Sequence, residues 1–334
     1  MTGARISAFA SYLPGDRRPL TEVDPGPGLE KRLANLGQAF THIAEGQSST
    51  DLMVEAAGRL VAGHPDAKAG IGQVISAPSL LSGYGFDIPA IAVSAALGLE
   101  NAECLNIAQG CVGVLKALDL ARARVLQSPE GGDVLVVAGC VASTLTDNMS
   151  HGVYYWGDGA VAMLVTAEPG TGFHIESYAE VSSIEDWGAM RVPFGDAPNA
   201  AGWSAPDDLR ITVDFPDAVA IERYIAGEHR RFTDVVEKLA ASCGLDSGDV
   251  DALALPSFGE NRLRALFQSL PVLRDRVVTD FRYGHMGGVD PLLFLERQRA
   301  DGAIADGAWV MALTAAFTAQ WAGLLLRNVE PRDA

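Results

Sequence analysis

Along the chain, apolar positions recur with the period of a strand in some stretches and of a helix in others, and one stretch joins the two. Cys104 to Ile107 reads as a short buried strand. Ala108-Gln109-Gly110-Cys111-Val112-Gly113 is a bend in which two glycines flank a cysteine. Val112 to Leu126, with Leu115, Ala117, Leu118, Leu120, Ala121 and Leu126, reads as a helix that is apolar on nearly every side. Upstream, Ile6 to Leu13 alternates and starts a sheet. Pro14 to Gly28 is a loop rich in Pro, Gly and charge. Thr50 to Ala62 has helical spacing, with Ser49, Thr50 or Asp51 as its cap. Gly70 to Ser76 is a strand, Ser79 to Asp87 a Gly-rich loop, and Pro89 to Leu97 a helix of small residues.

Downstream, Asp133 to Ala138 is a strongly apolar strand. Gly157-Asp158-Gly159-Ala160 is a tight turn into the strand Val161 to Val165. Glu168-Pro169-Gly170 to Gly172 is the clearest boundary signal, dividing the chain into halves 1–168 and 169–334. Strand material follows at Phe173 to Glu180, then an irregular insertion from Trp187 to Asp208 and a long helix from about Ala218 to Ala241.

The second half repeats the pattern of the first. Asp249 to Ser257 resembles Ala69 to Pro78, and Val277 to Phe281 takes the place of Glu103 to Ile107. Gly284-His285-Met286-Gly287-Gly288 takes the place of Gly110-Cys111-Val112-Gly113, and Gly307 to Leu313 matches Gly132 to Ala138. Strands alternating with helices predict an α/β fold with parallel crossovers. Two such halves would bring Cys111 and His285 face to face at the carboxyl ends of their strands, where ligands of α/β sheets tend to sit.

Hydrophobic residues are 48% of the 334 and charged residues 20%, which favours a large core over disorder. The net charge of −17 argues against nucleic acid and against anionic membrane surfaces. An acidic carrier protein would need a local basic patch, for which Arg262 and Arg282 are the candidates. The four cysteines have neither paired nor metal-ligand spacing, so no metal is expected and a reducing cytoplasm is. No apolar run reaches transmembrane length, and the N-terminus lacks the pattern of a secretion signal.

A cysteine at a helix N-terminus can be activated as a thiolate. His285, between glycines, is the candidate base. Asp290 either orients that histidine or caps the helix that Pro291 begins, and one carboxylate can do both. Ser257 at a strand end reads as a turn or substrate contact; Glu260 and Arg262 read as ordinary solvated charges. Backbone N–H groups of the small-residue run Ala312 to Ala319, together with that of Cys111, are placed to receive an oxyanion. His151 and Trp156 are candidates to line the cleft, with plain packing the stronger reading.

These motifs resemble the thiolase superfamily, and within it β-ketoacyl-acyl-carrier-protein synthase III. Asn106-Ile107-Ala108-Gln109-Gly110-Cys111-Val112-Gly113 is similar to the family's cysteine motif, Trp156-Gly157-Asp158-Gly159-Ala160 to its Phe-Gly-Asp-Gly-Ala turn, and Gly244-Leu245-Asp246-Ser247-Gly248-Asp249-Val250 to its Gly-Leu-x-x-x-Asp-Val element. The resemblance implies a five-layered αβαβα duplication of two βαβαβ-type halves, usually a homodimer. It also implies an acyl group loaded onto Cys111 from a coenzyme A or carrier-protein thioester, with no tightly bound cofactor.

The departures from the family are specific. Its His-Gln-Ala-Asn-x-Arg reads Ser257-Phe258-Gly259-Glu260-Asn261-Arg262, and its Gly-Asn-x-x-x-x-Ser reads Gly284-His285-Met286-Gly287-Gly288-Val289-Asp290. The His and Asn that support decarboxylative condensation are therefore replaced. The Cys, Gly-His and downstream Asp pattern looks like the synthase III-like acyltransferases of natural-product pathways, which form esters on antibiotic hydroxyls. On that resemblance Cys111 is the nucleophile, His285 the base, Asp290 its orienter, and the amides of Cys111 and Phe317 the oxyanion hole. Ser257 and Arg262 are substrate-binding candidates. A variant condensing enzyme and a catalytically silent partner subunit of a synthase are the alternatives.

Overall fold

The alternating stretch near the N-terminus forms β1 (Arg5–Tyr12), with Ile6 and Ala8 buried. The structure is a computed structural model that describes residues 3–23, 29–80, 87–143, 149–150, 154–167, 169–190, 218–260, 262, 266–267 and 270–330. The further strands are β2 (Arg18–Pro19), β3 (Phe40–Thr41), β4 (Ile71–Pro78), β5 (Glu103–Asn106), β6 (Asp133–Cys140), β7 (Met149–Ser150), β8 (Tyr154–Tyr155), β9 (Gly159–Thr166), β10 (Gly172–Ser182), β11 (Ala252–Ala254), β12 (Trp309–Ala316) and β13 (Gln320–Val329). The helices are α1 (Leu20–Val23), α2 (Leu29–Leu36), α3 (Ser49–Gly63), α4 (Pro89–Leu97), α5 (Gly113–Gln127), α6 (Ala218–Ser242) and α7 (Val289–Ala300). The loop expected at Ser79 to Asp87 and the insertion expected at Trp187 to Asp208 lie largely outside the described residues, as does His151.

Nine strands form one sheet in the order β11-β12-β13-β10-β1-β9-β6-β4-β5. Read outward from the β1–β10 pair, the two sides mirror each other: β9 matches β13, β6 matches β12, and β4 matches β11. We propose on this order that the two halves are 1–168 and 169–334. Between strands, pairing is parallel at β4–β5, β4–β6 and β11–β12, and the helix-linked β4, β5 and β6 pair as expected. The remaining described neighbours in this sheet are antiparallel. At β12 and β13 the reason is the connection itself, since a three-residue turn can only return antiparallel.

The strand expected at Val277 to Phe281 is reduced to a single parallel bridge between Leu253 and Val277. Beyond it, Thr279 replaces the ladder with its side chain. Its hydroxyl accepts from Leu255 N and donates to Leu255 O, both at 2.8 Å.

Helices α5 and α7 touch strands on both sides of the β1–β10 junction, whereas α3 and α4 cover only one flank and α6 only the other. The result is five layers, αβαβα, with α5 and α7 in the middle. The junction itself is thin, pairing Arg5 with His174 and Ile6 with Phe173. The cap of α3 is Ser48 in a reciprocal box with Asp51, one residue before the expected candidates. No described helix is long and apolar enough to cross a membrane.

The two central helices start against each other. A Cβ on Gly288 would lie 2.4 Å from the Cys111 carbonyl oxygen, and one on Gly287 (φ +65°) 2.3 Å from the Ser79 side chain. These glycines therefore let the turn after His285 press onto the cysteine bend.

Candidate active site

Cys111 sits in a 3₁₀ turn (Gly110–Val112), one residue before the Val112 cap of α5. His285 is held by a backbone bridge to Trp156: its N–H donates to Tyr155 O at 2.6 Å, and its carbonyl accepts from Gly157 N at 2.8 Å. The two side chains, from opposite halves of the chain, meet with Sγ 3.9 Å from Nε2. This is a long contact of the kind that tightens once substrate is bound.

The other imidazole nitrogen, Nδ1, lies 2.6 Å from Asp290 Oδ2. Helix α7 begins at Val289 with Gly288 as its cap, so Asp290 is not the N-cap that the Asp-Pro pair suggested. Its carboxylate instead takes N–H bonds from Ser257 (2.8 Å) and Met286 (2.6 Å) while facing the imidazole. Both His285 and Asp290 are fully buried. With Asp290 accepting at Nδ1–H, Nε2 is left free to face the sulfur as a base.

The electrostatics correct one expectation. A helix N-terminus should favour the thiolate, yet burial and the nearby Asp290 carboxylate push the Cys111 thiol up to about 12. At rest the pair is thus a neutral thiol beside an imidazole. Attack by this sulfur would need a base to take its proton, and the imidazole stands where it can do so.

Ser257 is fully buried, and its hydroxyl donates to Tyr283 O at 2.5 Å. With its N–H on Asp290 Oδ2, it belongs to the frame around that carboxylate. Arg262 is not an ordinary solvated charge. Its guanidinium grips the buried Glu228 of α6 (Nε to Oε2 3.0 Å, Nη2 to Oε1 2.5 Å) and lies 4.4 Å over the Phe258 ring. Arg282 is paired with Asp280 at 2.7 Å. Neither arginine offers the free charge of a basic patch.

Phe317 follows β12 in the turn to β13, where Ala319 takes a left-handed φ of 60°. A Cβ on Gly110 would lie 3.5 Å from Ala316 Cβ, so this turn adjoins the cysteine bend. Glu180 ties the two together, accepting from Gln109 at 3.3 Å and from Gln320 at 3.0 Å, with Lys116 at 3.4 Å. Burial opposes the charge of Glu180, but Tyr178 and Lys116 hold its carboxyl below the usual range.

Three supports frame the site: Gln38 carries no signal in the sequence pattern, whereas Asp158 lies in the family-like turn and Trp156 is one of the cleft candidates. Gln38, 2% exposed, donates to the carbonyls of Tyr155, Ser257 and Tyr283 and accepts from Tyr155 N. Asp158, expected as part of a tight turn, is a buried anchor that accepts from Ala44 N, Ala142 N and Ser143 N. The third is an aromatic box around the imidazole: Phe258, Tyr154 and Trp156 have ring centroids 4.8, 4.9 and 5.1 Å from that of His285.

Residues 105–183 match the model of the 3-oxoacyl-[acyl-carrier-protein] synthase III family, and residues 240–328 match its C-terminal model. The chain belongs to that family, within the thiolase superfamily. The β-ketoacyl-[acyl-carrier-protein] synthase III of Nitratidesulfovibrio vulgaris (strain Miyazaki F) is 26% identical to it over 336 residues, covering 96% of this chain and 97% of the relative. The corresponding synthase III of Lactobacillus delbrueckii subsp. bulgaricus (strain ATCC BAA-365) is 32% identical over 199 residues, 57% of each chain.

Among solved structures, ChlB3, an acyltransferase, superposes with a TM-score of 0.85 at 22% identity, covering 98% of both chains. The priming β-ketosynthase of the R1128 polyketide pathway superposes at 0.81 with 20% identity, covering 99% of this chain and 97% of its own. These likenesses show the thiolase fold. Against the synthase III motifs quoted above, this chain keeps the cysteine and places histidine and serine where condensation would call for asparagine and histidine.

Proposed function

We propose that this synthase III-like protein is an acyltransferase that moves an acyl group from a coenzyme A or carrier-protein thioester, through acyl-Cys111, to a hydroxyl of a small-molecule acceptor. The reading rests on one observation: Cys111 Sγ, His285 Nε2, His285 Nδ1 and Asp290 Oδ2 form one continuous line of polar contacts, with a buried serine where the condensing motif has its histidine. In the first step Cys111 attacks the thioester carbonyl while its proton passes to His285. The oxyanion is held by the Cys111 and Phe317 amides, and the departing thiolate takes the proton back. In the second step His285 deprotonates the acceptor hydroxyl, which attacks the acyl carbon, and Cys111 leaves and is reprotonated. Asp290 stabilises the imidazolium in both steps. No step needs a metal or a bound cofactor. The acyltransferase ChlB3 and the R1128 ketosynthase, both similar in fold, support a place in natural-product biosynthesis of the antibiotic or polyketide kind.

The family's other activity is the second reading, because the curated relatives are named as β-ketoacyl synthases. There the same acyl-cysteine would be attacked by a carbon nucleophile. A panel of acyl thioesters on coenzyme A and on pantetheine, scored by intact-protein mass, should give a stable adduct for some members. No adduct from any donor, with Cys111 free, would favour a silent partner subunit.

Asp290→Asn should lower the transfer rate by about 10³-fold with the fold intact, because the amide presents the wrong partner to Nδ1–H. An unchanged rate in a normally folded variant would reduce Asp290 to an anchor for Ser257 and Met286.

A homodimer is proposed through β5, the strand at one end of the sheet. Its Leu105 is 39% exposed, and Ile88 at the cap of α4 and Ile91 in its first turn are 40% and 54% exposed. An open apolar edge of this kind pairs with another strand or is a liability. Light scattering should give the mass of two chains, and Leu105→Lys should shift it toward one; a wild-type monomer at micromolar concentration would reject the pairing.

A further inference from the structure

Two buried polar atoms near the reaction centre have no hydrogen-bond partner among the described residues: Trp156 Nε1 and Thr314 Oγ1. Trp156 is 2% exposed and Thr314 fully buried. A buried donor left without an acceptor is destabilising, and such groups in a folded protein call for an explanation. Their surroundings supply one.

The Trp156 ring lies against the His285 imidazole, with centroids 5.1 Å apart and an interplanar angle of 32°. It also meets Phe317 at 6.0 Å and 78°. The indole therefore stands between the base and the turn proposed to hold the oxyanion. It is fixed there. The Trp156 backbone is bridged to His285, its carbonyl accepts from Thr41 Oγ1 at 2.8 Å, and Tyr154 packs edge-on against the ring at 5.2 Å. Thr314 lies two residues before Ala316 on β12 and so shares the face of the strand that Ala316 turns to the cysteine bend. A hydrocarbon ring would fill the Trp156 position without an unpaired N–H. A polar ligand atom at the site would satisfy it.

We propose that Trp156 Nε1–H donates a hydrogen bond to an oxygen of the substrate held at Cys111, and so helps to set specificity. This rests on the acyl-transfer reading. The oxygen belongs either to the acyl group or to the hydroxylated acceptor.

Trp156→Phe keeps an aromatic ring and removes the N–H. Three rates separate the outcomes: methylthiolation of Cys111 by methyl methanethiosulfonate, acylation of Cys111 by acyl-coenzyme A donors with and without an oxygen on the acyl chain, and transfer to the acceptor. The expected result is unchanged methylthiolation together with a loss of about 10–100-fold in one acyl step. A loss in acylation assigns the oxygen to the acyl group; a loss confined to transfer assigns it to the acceptor. Equal acylation and transfer in wild type and variant would overturn the proposal, as would a matching loss in methylthiolation, which would make the indole a packing element. If the wild type is acylated by no donor, the acyl-transfer reading fails first and this inference falls with it.

Discussion

Cys111→Ala is expected to take up no acyl group from any thioester, while the wild-type chain gains the mass of one. The fall in turnover should be on the order of 10⁴-fold or more, since removing the nucleophile leaves only binding and the oxyanion donors. The variant should still fold. Cys111 is 6% exposed, and trading its sulfur for hydrogen leaves a small void worth about 1 kcal/mol. No charge is removed either, because burial and the Asp290 carboxylate keep the thiol protonated, with its pKa pushed up to about 12. Loading that persists in the variant, mapped by peptide mass to another residue, would move the nucleophile elsewhere.

His285→Ala has the second largest expected effect. Transfer should fall by about 10²–10⁴-fold, while the dissociation constant of the donor stays within about twofold of wild type. The pH dependence carries a sign. With the histidine as base, wild-type loading is expected near neutral pH although the thiol pKa is pushed up to about 12. Without it, the thiolate fraction limits the reaction, and that fraction rises about tenfold per pH unit below the thiol pKa. The variant's loading rate should therefore climb steeply from pH 7 to pH 10. A flat profile in the variant, at a rate close to wild type, would remove the base role from His285. A cavity is also left among Phe258, Tyr154 and Trp156, so His285→Gln is the companion that keeps much of the volume without the base.

The meeting of Cys111 and His285 was legible because it follows from a repeat. Two Gly-flanked bends after corresponding strands must approach each other if the halves are duplicates, and the side chains lie 3.9 Å apart. The strand order about β1 and β10 carries the same symmetry. What stayed hidden is what has no period. Arg262 looks like a solvated charge until helix α6 brings Glu228, 34 residues earlier in the chain, against it. Gln38 bonds to carbonyls more than a hundred residues away, and no local pattern announces such a side chain.

The Asp-Pro pair at Asp290 gave a sound rule for helix starts but the wrong position, because Gly288 can cap without a side chain and frees the carboxylate for His285. The thiol was misjudged for a different reason. Sequence shows the helix N-terminus that favours a thiolate, but not the burial that outweighs it. Parallel crossovers hold where a helix joins the strands, as among β4, β5 and β6, and not at β12 and β13, which have no helix between them.

The most direct trial of the central claim is the linkage of the product. Wild-type enzyme is loaded with an isotopically labelled acyl group, the acyl-Cys111 protein is isolated, and hydroxylated acceptors and malonyl thioesters are offered in parallel. The account predicts that the label leaves Cys111 only with a hydroxylated acceptor and appears in an alkali-labile ester. Discharge by the malonyl thioester, with carbon dioxide released and the label in a ketone, would contradict it.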